Sequence, residues 1–247
     1  MAVPRFHCPA ALDASAVGSE FVLPDAVAHH ALRVLRVAQG ERVTLFTGGG
    51  GEFAATLIKA GKREAVVHID GFDPVERESA LAVTLVQGIA ASDAMDHAVR
   101  RAVELGAAAI QPVLTARSAR MPDGERGDKR HAHWRQVVVA ACEQCGRNRI
   151  PDLRDMTTLG RWLEQRTGEA QRWVLSPHAD LAIAQARAPH GALDLLVGPE
   201  GGFAADEVAL AQAAGVTAVR LGPRVLRTET AALAALAAIN ALWGDFR

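Results

Sequence analysis

The spacing of apolar residues changes character near residue 80. Before that point, the runs ERVTLFTGG, EFAATLIKAG and EAVVHIDGF have the β-branched content and alternation of strands. The glycine cluster Gly48–Gly51 between the first two runs is a hairpin signal. One helix is predicted before them over PDAVAHHALRVLRV, where Ala28, Leu32 and Leu35 recur near helical spacing. The pattern therefore predicts a small β-rich domain with one helix.

A proline and a charge run, in DPVERESA at 73–80, separate this pattern from an alternation of strands and helices. The predicted strands are LAVTLVQGI, AAAIQPVL, RWVLS, LDLLVG and VTAVRLG. The first predicted helix is SDAMDHAVRRAVELG, with Ser92 or Asp93 as N-cap and Gly106 beyond its last turn. The others are HWRQVVVAACEQ, a helix near ADLAIAQA, AADEVALAQAAG and TETAALAALAAINALW. Such alternation predicts an α/β domain with a parallel sheet flanked by helices.

Two glycine-bearing loops, LVGPEGGF (Leu196–Phe203) and LGPRVLRTETAAL (Leu221–Leu233), follow predicted strands close together. Residues without Cβ let the backbone approach a ligand, and ligands of parallel sheets bind at the carboxyl ends of strands. Neither loop matches the dinucleotide fingerprint or a phosphate loop, which disfavours a standard NAD or ATP site. Taken singly, each loop is also explained as a turn, with Thr228 as the N-cap of the last helix.

Composition indicates an ordinary globular chain. Apolar residues make up 49% of its 247 residues, and its apolar runs are shorter than the roughly 20 residues of a membrane span. The N-terminus MAVPRFHCP has no secretory pattern, so a cytoplasmic location without a membrane partner is expected. Cys142 and Cys145 form a CxxC without a second pair. A structural or incidental pair is therefore favoured over zinc or redox chemistry, and no metal site is predicted.

The distribution of charged residues along the chain is more informative about possible partners than the net charge. The net charge is −1, but residues 117–149 contain eight basic and four acidic side chains. Such a segment suits contact with nucleic-acid phosphates, and a solvated loop with scattered charge explains it equally well.

Several separated blocks resemble one known family. GPEGGF followed by LGPRVLRTETAAL is similar to motifs of the ribosomal RNA small subunit methyltransferase E family, knotted enzymes of the SPOUT class that methylate N3 of a uridine in 16S ribosomal RNA. PRFHCP, HHALRVLRVAQGERVTLFTGGGGEFAATL, VELGAAAIQPVLTARS and AACEQCGR occur in that family's order, so the resemblance spans nearly the whole chain. The chain departs from the family at Ala91–Ser92 and Arg101, where lysines are usual.

The resemblance implies a fold and a set of partners. Residues 1–73 would form a PUA-like β-barrel domain that contacts RNA, and residues 80–247 an α/β SPOUT domain with a trefoil knot in its C-terminal part. S-adenosylmethionine would be the cofactor, 16S ribosomal RNA in the small subunit the substrate, and a homodimer the assembly.

Together with the chemistry of methyl transfer, the resemblance suggests roles for individual residues. Arg227 would stabilise negative charge on the uracil oxygens and Glu229 would accept or relay the N3 proton. The cofactor would be held by Leu175, Val197, Gly198, Pro199, Glu200, Gly201, Leu221, Gly222 and Leu226, with Glu200 either a ribose ligand or an anchor of its loop. RNA would be contacted by Arg5, Arg33, Arg36, Arg117, Gln144 and Arg147.

Two other functions remain open on the sequence. An RNA-binding factor without catalysis would bind ribosomal RNA and show no saturable S-adenosylmethionine affinity. A knotted methyltransferase acting on another RNA position or atom, such as a ribose 2′-hydroxyl, would share the same loops, because those loops do not specify the acceptor.

Overall fold

The computed structural model describes residues 3–9, 12–61, 64–118, 124–165 and 170–246. Contacts between residues divide the chain into two units. The first comprises Met1–Glu78 and Cys142–Ile150, and the second comprises Ser79–Ala141 and Pro151–Arg247. Both units are therefore discontinuous in sequence.

Five strands form a mostly antiparallel sheet in the first unit. They are β1 (Arg5–His7), β2 (Glu20–Val22), β3 (Arg42–Phe46), β4 (Glu52–Ala60) and β5 (Ala65–Asp73), in the order β1-β3-β4-β5-β2. β1 is parallel to β3, and the other neighbours are antiparallel. The predicted hairpin is confirmed, since β3 pairs with β4 and the connecting Gly48, Gly50 and Gly51 have positive φ.

The predicted helix before the hairpin forms, but it is irregular. α1 (Asp25–His29) continues as a π-helical turn over His30–Val34, and the chain then passes through Arg36 with φ of 55°. A π turn breaks the 3.6-residue period, so Leu35 does not follow Ala28 and Leu32 toward the core. Leu35 is 47% exposed, while Ala28 is buried and Leu32 packs against the core.

Alternation along the strands builds the core of this unit. Phe6, Leu45, Phe53, Leu57 and Ile69 are almost fully buried and belong to one apolar cluster. Burying a side chain of this size contributes about 1.5–3 kcal/mol.

The excursion Cys142–Ile150 supplies polar partners to the first unit. Asn148 is fully buried, its Oδ1 accepts from Arg5 Nη2 at 2.6 Å, and its Nδ2 donates to the Val75 carbonyl at 2.9 Å. Glu143 Oε1 accepts from the His7 amide at 2.9 Å. Residues 142–150 therefore provide hydrogen-bond partners for polar groups of Arg5, His7 and Val75.

Glu52 lies at the centre of an acid-sensitive cluster in this unit. Its Oε2 accepts hydrogen bonds from Arg5 at 2.6 Å and from Arg77 at 3.0 Å. Burial by itself would raise the pKa of this carboxyl, but the bonds from Arg77 and Arg5 and the charge of Arg5 hold the pKa below its usual 4.5. A carboxyl with a lowered pKa stabilises the fold above its unfolded pKa, and this contribution is lost as the pH falls through the folded pKa.

We therefore expect Glu52→Gln to lower the thermal unfolding temperature at pH 7 by a few degrees, as a loss of about 1 kcal/mol would. The difference from the wild-type chain should shrink as the pH falls from about 5 to about 3, because the native carboxylate then also becomes neutral. Thermal unfolding followed by circular dichroism across this range measures it. Glu20→Gln, on an exposed position of β2, is the control. A Glu52→Gln deficit that is the same at every pH would contradict the prediction.

Seven strands form the sheet of the second unit. They are β6 (Ala82–Gly88), β7 (Ala109–Leu114), β8 (Asp152–Leu153), β9 (Thr157–Thr158), β10 (Gln171–Leu175), β11 (Ala192–Val197) and β12 (Thr217–Val219). Their order is β12-β10-β11-β6-β7-β8, with β9 also paired to β7. Every pairing between the described strands of this sheet is parallel, which confirms the predicted parallel sheet.

Among the described residues, four helices lie between strands of this sheet along the chain, and a fifth follows the last strand. They are α2 (Ser92–Glu104), α3 (Glu125–Cys145), α4 (Leu159–Glu164), α5 (Ala205–Ala213) and α6 (Thr228–Trp243). The end of α3, from Cys142, belongs to the first unit. No helix within the described ranges is long and apolar enough to cross a membrane.

The helix predicted near ADLAIAQA is wrong. This segment forms only a 3₁₀ turn over Ile183–Gln185. The Ile183 amide donates to the Arg220 carbonyl, and the Arg220 amide donates to the Leu181 carbonyl, both at 2.9 Å. Pairing with the chain beyond β12 therefore replaces the hydrogen bonds that a helix would make.

Two predicted helix caps are also wrong. The N-cap of α2 is Ala91 rather than Ser92 or Asp93, and its amide donates to the Glu200 carboxylate at 2.8 Å. The N-cap of α6 is Arg227, and Thr228 is the first helical residue. The Thr228 hydroxyl donates to the Gly198 carbonyl, 30 residues away. Gly106 does follow α2 in the left-handed conformation, with φ of 78°.

Candidate functional site

A cavity of about 340 Å³ lies at the carboxyl ends of three adjacent strands of the second unit. Its wall takes residues from the segments Leu175–His178 after β10, Val197–Phe203 after β11 and Leu221–Leu226 after β12. Parallel strands bring their carboxyl ends to one edge of the sheet, so the segments meet there. Both glycine loops therefore line one cavity.

All nine residues predicted to hold the cofactor line this cavity: Leu175, Val197, Gly198, Pro199, Glu200, Gly201, Leu221, Gly222 and Leu226. Val197 and Pro199 are buried, whereas Glu200 and Gly201 are exposed. The fold thus assembles the predicted set, and cofactor binding by these residues remains a prediction.

Glycine is required in these loops for two different reasons. Gly202 and Gly222 have φ of 66° and 115°, a region that side chains disfavour. At Gly198 and Gly201 a side chain would instead be crowded by its neighbours. A Cβ on Gly198 would lie 3.1 Å from the Phe203 ring, and one on Gly201 would lie 3.1 Å from Arg117 Cβ.

Gly88, the last residue of β6, is a site position that no sequence pattern singled out. A Cβ there would lie 2.6 Å from Pro199 Cδ and 2.7 Å from Pro199 N. Its missing side chain therefore lets the loop after β11 pack directly on β6. The sequence feature that could have identified Gly88 is a glycine at the end of a predicted buried strand.

One hydroxyl joins the two glycine loops. Thr228 Oγ1 donates to the Gly198 carbonyl oxygen, and Gln87 Nε2 donates to Thr228 Oγ1 at 2.9 Å. Thr228 is 5% exposed and Gln87 is fully buried. Neither residue was predicted to belong to the site.

Glu200 anchors its loop. Its Oε1 accepts from the Ala91 amide at 2.8 Å, which ties the loop to the start of α2. The anchor interpretation of this residue is therefore realised in the structure. Glu200 also lines the cavity, so a ribose contact stays a prediction.

Arg117, predicted to contact RNA, lies at the same cavity. Its Nη1 donates to the Gly201 carbonyl at 2.9 Å, and the residue is exposed. Glu207 holds the adjoining backbone, because its Oε1 accepts from the Ala116 amide at 2.7 Å and its Oε2 from the Ala204 amide at 2.9 Å. The segment after β7 is thereby fixed against the loop after β11.

Arg227 and Glu229 stand at the start of α6. Arg227 is an exposed N-cap residue with extended backbone, and Glu229 is half-buried in the first turn. Among the described residues, the cavity wall includes their neighbours Leu226 and Thr228 but neither member of the pair. The fold therefore sets both next to the cavity wall, and their catalytic roles remain predictions.

The residues of the first unit predicted to bind RNA fall into two groups. Arg33, Arg36 and Gln144 are exposed. Arg5 pairs with Glu52 at 2.6 Å and Arg147 pairs with Glu78, and their side chains are only 14% and 5% exposed. A phosphate would have to displace these carboxylates to bind Arg5 or Arg147. Arg120, part of the basic segment noted in the sequence, lies outside the described residues.

The first cysteine of the CxxC, Cys142, is buried. Burial raises the pKa of the Cys142 thiol to about 12, so it stays protonated at neutral pH. Within the part of the chain that the structure describes, no group of three or more His, Cys, Asp or Glu side chains is arranged to hold a metal ion.

Two family models match the chain. One, described as an RNA methyltransferase domain, matches residues 77–240. The other, described as an RNA methyltransferase PUA domain, matches residues 23–70.

Individual relatives agree with these matches. Ribosomal RNA small subunit methyltransferase E of Mycobacterium bovis is 38% identical over 225 residues, which cover 86% of this chain and 83% of that protein. The solved structure of such an enzyme from Neisseria gonorrhoeae, bound to S-adenosyl methionine, is 41% identical with a TM-score of 0.92 and full coverage of both chains. A structure from Legionella pneumophila with its bound cofactor SAM is 34% identical with a TM-score of 0.94, again over both chains completely. The chain therefore belongs to the ribosomal RNA small subunit methyltransferase E family.

Proposed function

We propose that this chain transfers the methyl group of S-adenosylmethionine to N3 of a uridine in 16S ribosomal RNA. One observation carries the proposal: both glycine loops line a single cavity at the carboxyl edge of a parallel sheet. The volume of about 340 Å³ lies within the range of ligand pockets, roughly 300–1,000 Å³. Membership of the family, with solved relatives that hold this cofactor, supports it.

The cavity suits a methyl donor of this kind. Apolar side chains such as Leu175, Val197 and Leu226 share the wall with glycine backbone. The loop after β11 has no side chain at Gly198 or Gly201, so its backbone can lie close to an adenine edge or ribose. When bound, S-adenosylmethionine supplies a methyl group on a positively charged sulfur.

N3 of uridine carries a proton and is a poor nucleophile until that proton is removed, which requires a residue of this chain. In the proposal, Glu229 takes that proton while Arg227 donates hydrogen bonds to the uracil oxygens, where negative charge develops. The planar guanidinium of Arg227 offers several donors in a fixed arrangement. Arg117, exposed beside the cavity, binds a phosphate of the RNA.

In the proposal, one of the regions matched by the family models binds RNA and the other transfers the methyl group. We assign RNA binding to a PUA-like β-barrel domain in residues 1–73, where Arg33 and Arg36 are exposed. Methyl transfer belongs to a SPOUT domain in residues 80–247 with a knotted C-terminal part. A homodimer acting on the small subunit in the cytoplasm completes the proposal.

Small subunits from a strain that lacks the modification provide the test. The purified chain and S-adenosylmethionine are incubated with these subunits, and the RNA is digested for nucleoside mass spectrometry. One N3-methyluridine per 16S RNA is the expected product. A ribose-methylated nucleoside would contradict the proposed acceptor atom, and RNA binding without saturable S-adenosylmethionine affinity would indicate a non-catalytic binding factor.

A further inference from the structure

A buried amide is the unusual residue of β6. Gln87 is fully buried in a strand whose Val83, Leu85 and Val86 are buried and apolar. An amide in such a place costs free energy unless its polar atoms find partners. Packing alone therefore does not explain a glutamine here.

The nitrogen of this amide lies among oxygens of three separate segments. Gln87 Nε2 is 2.9 Å from the Gly88 carbonyl, 2.9 Å from Thr228 Oγ1 and 3.4 Å from the Gly198 carbonyl. The amide has two hydrogens, so the two shorter contacts are its good bonds. Thr228 Oγ1 in turn donates a hydrogen bond to the Gly198 carbonyl oxygen. One chain of hydrogen bonds thus joins the end of β6, the first turn of α6 and the loop after β11.

The oxygen of this amide takes no part in the connection. Gln87 Oε1 is buried and has no hydrogen-bond partner among the described residues. The bonds of the side chain to these residues are therefore made through Nε2, the atom that holds Thr228.

The connection ends at the cavity wall. Gly198 and Thr228 both line the cavity, and Pro199 rests against Gly88, the neighbour of Gln87. A loop held in one conformation before its ligand arrives does not have to be ordered on binding, which improves affinity. Hydrogen bonds within a buried network are also stronger than those exposed to water.

We infer that Gln87 and Thr228 are positioning residues that hold the two cofactor loops in register before S-adenosylmethionine binds. The inference rests on the proposed function. Both residues act through the backbone of Gly198, and neither is assigned a contact with the reacting atoms.

Thr228→Val tests the hydroxyl at nearly constant shape. It leaves the Gly198 carbonyl and Gln87 Nε2 without this partner, so the dissociation constant for S-adenosylmethionine should rise about 10- to 100-fold. Thr228→Ser keeps the hydroxyl and should stay within about threefold of the wild-type chain. Isothermal titration with S-adenosylmethionine measures both, and Thr217→Val at an exposed position of β12 is the matched control. The methylation assay should show a raised KM for S-adenosylmethionine and a kcat near that of the wild-type chain.

Gln87→Met removes the donor and keeps a side chain of similar size. It deletes the bonds to Thr228 and to the Gly88 carbonyl, so the cofactor affinity of the folded chain should fall. A loss of affinity larger than any loss of folded fraction, with titration and thermal unfolding measured on the same preparation, identifies a positioning role.

The outcomes separate the inference from the proposed function. Wild-type affinity in both Thr228→Val and Gln87→Met would overturn the inference and leave the function intact. Affinity that falls only in proportion to the folded fraction would also overturn it. A wild-type chain that binds no S-adenosylmethionine would overturn the proposed function itself.

Discussion

Replacing Arg227 with alanine is expected to slow uridine methylation about 100- to 1,000-fold, the usual effect of removing a group that stabilises charge in the transition state. The affinity for S-adenosylmethionine should change less than about threefold, because Arg227 is not among the described residues that line the cavity. The fold should tolerate the change, since Arg227 is an exposed N-cap whose side chain makes no capping bond. Single-turnover methylation of small subunits and calorimetric titration with the cofactor measure the two quantities.

Two controls separate charge from geometry. Arg227→Lys keeps a positive charge but loses the planar set of donors, so it should recover only part of the rate. Arg161→Ala, at an exposed position of α4, should behave as the wild-type chain. Unchanged turnover in Arg227→Ala would remove this residue from the mechanism.

A single added methyl group at Gly88 is expected to weaken S-adenosylmethionine binding more than about 100-fold. The new Cβ would lie 2.6 Å from Pro199 Cδ and 2.7 Å from Pro199 N, so the loop after β11 must move away from β6. That loop forms one wall of the cavity, and a displaced wall no longer presents its backbone to the ligand. Titration of purified Gly88→Ala with the cofactor measures the loss, and circular dichroism reports whether the chain is folded.

Gly160→Ala is the matched control. Gly160 lies within α4, and a Cβ there would meet no atom within 4 Å. This variant should be at least as stable as the wild-type chain and bind the cofactor as that chain does. Wild-type affinity in a folded Gly88→Ala would mean that the close approach of Pro199 to β6 does not shape the site.

Periodicity was sufficient to predict the main strands of the second unit, because each is an apolar run long enough to be recognised. β8 and β9 have two residues each and leave no such pattern. The helix expected near ADLAIAQA failed for another reason. Its composition favours a helix, but its backbone pairs with residue 220, and a tertiary contact of this kind outweighs local propensity.

The sequence predicted those parts of the candidate site that lie in short, continuous motifs. The glycine loops are visible as motifs, and they do line one cavity. Gln87 could not be found in this way, because its partner Thr228 lies 141 residues further along the chain. Thr228 has the residue type and position of a helix cap, and only the fold shows that its hydroxyl bonds to Gly198, 30 residues away.

The arginines illustrate the same limit. Sequence does not show which arginines become buried against a carboxylate on folding. Arg36 is exposed, whereas Arg147 is buried against Glu78. Only the placement of the partner decides whether the charge remains available to a phosphate.

The discontinuity of the first unit has a consequence for biosynthesis. The His7 amide bonds to Glu143, 136 residues later, and Arg5 bonds to Asn148, 143 residues later. During translation, the strands near the N-terminus emerge long before these partners exist. The polar interior of the first unit therefore closes only after most of α3 has left the ribosome, so its folding waits for part of the second unit to be synthesised. In a nascent chain that ends at Glu78, the His7 amide and the Arg5 guanidinium would bond to water in place of Glu143 and Asn148.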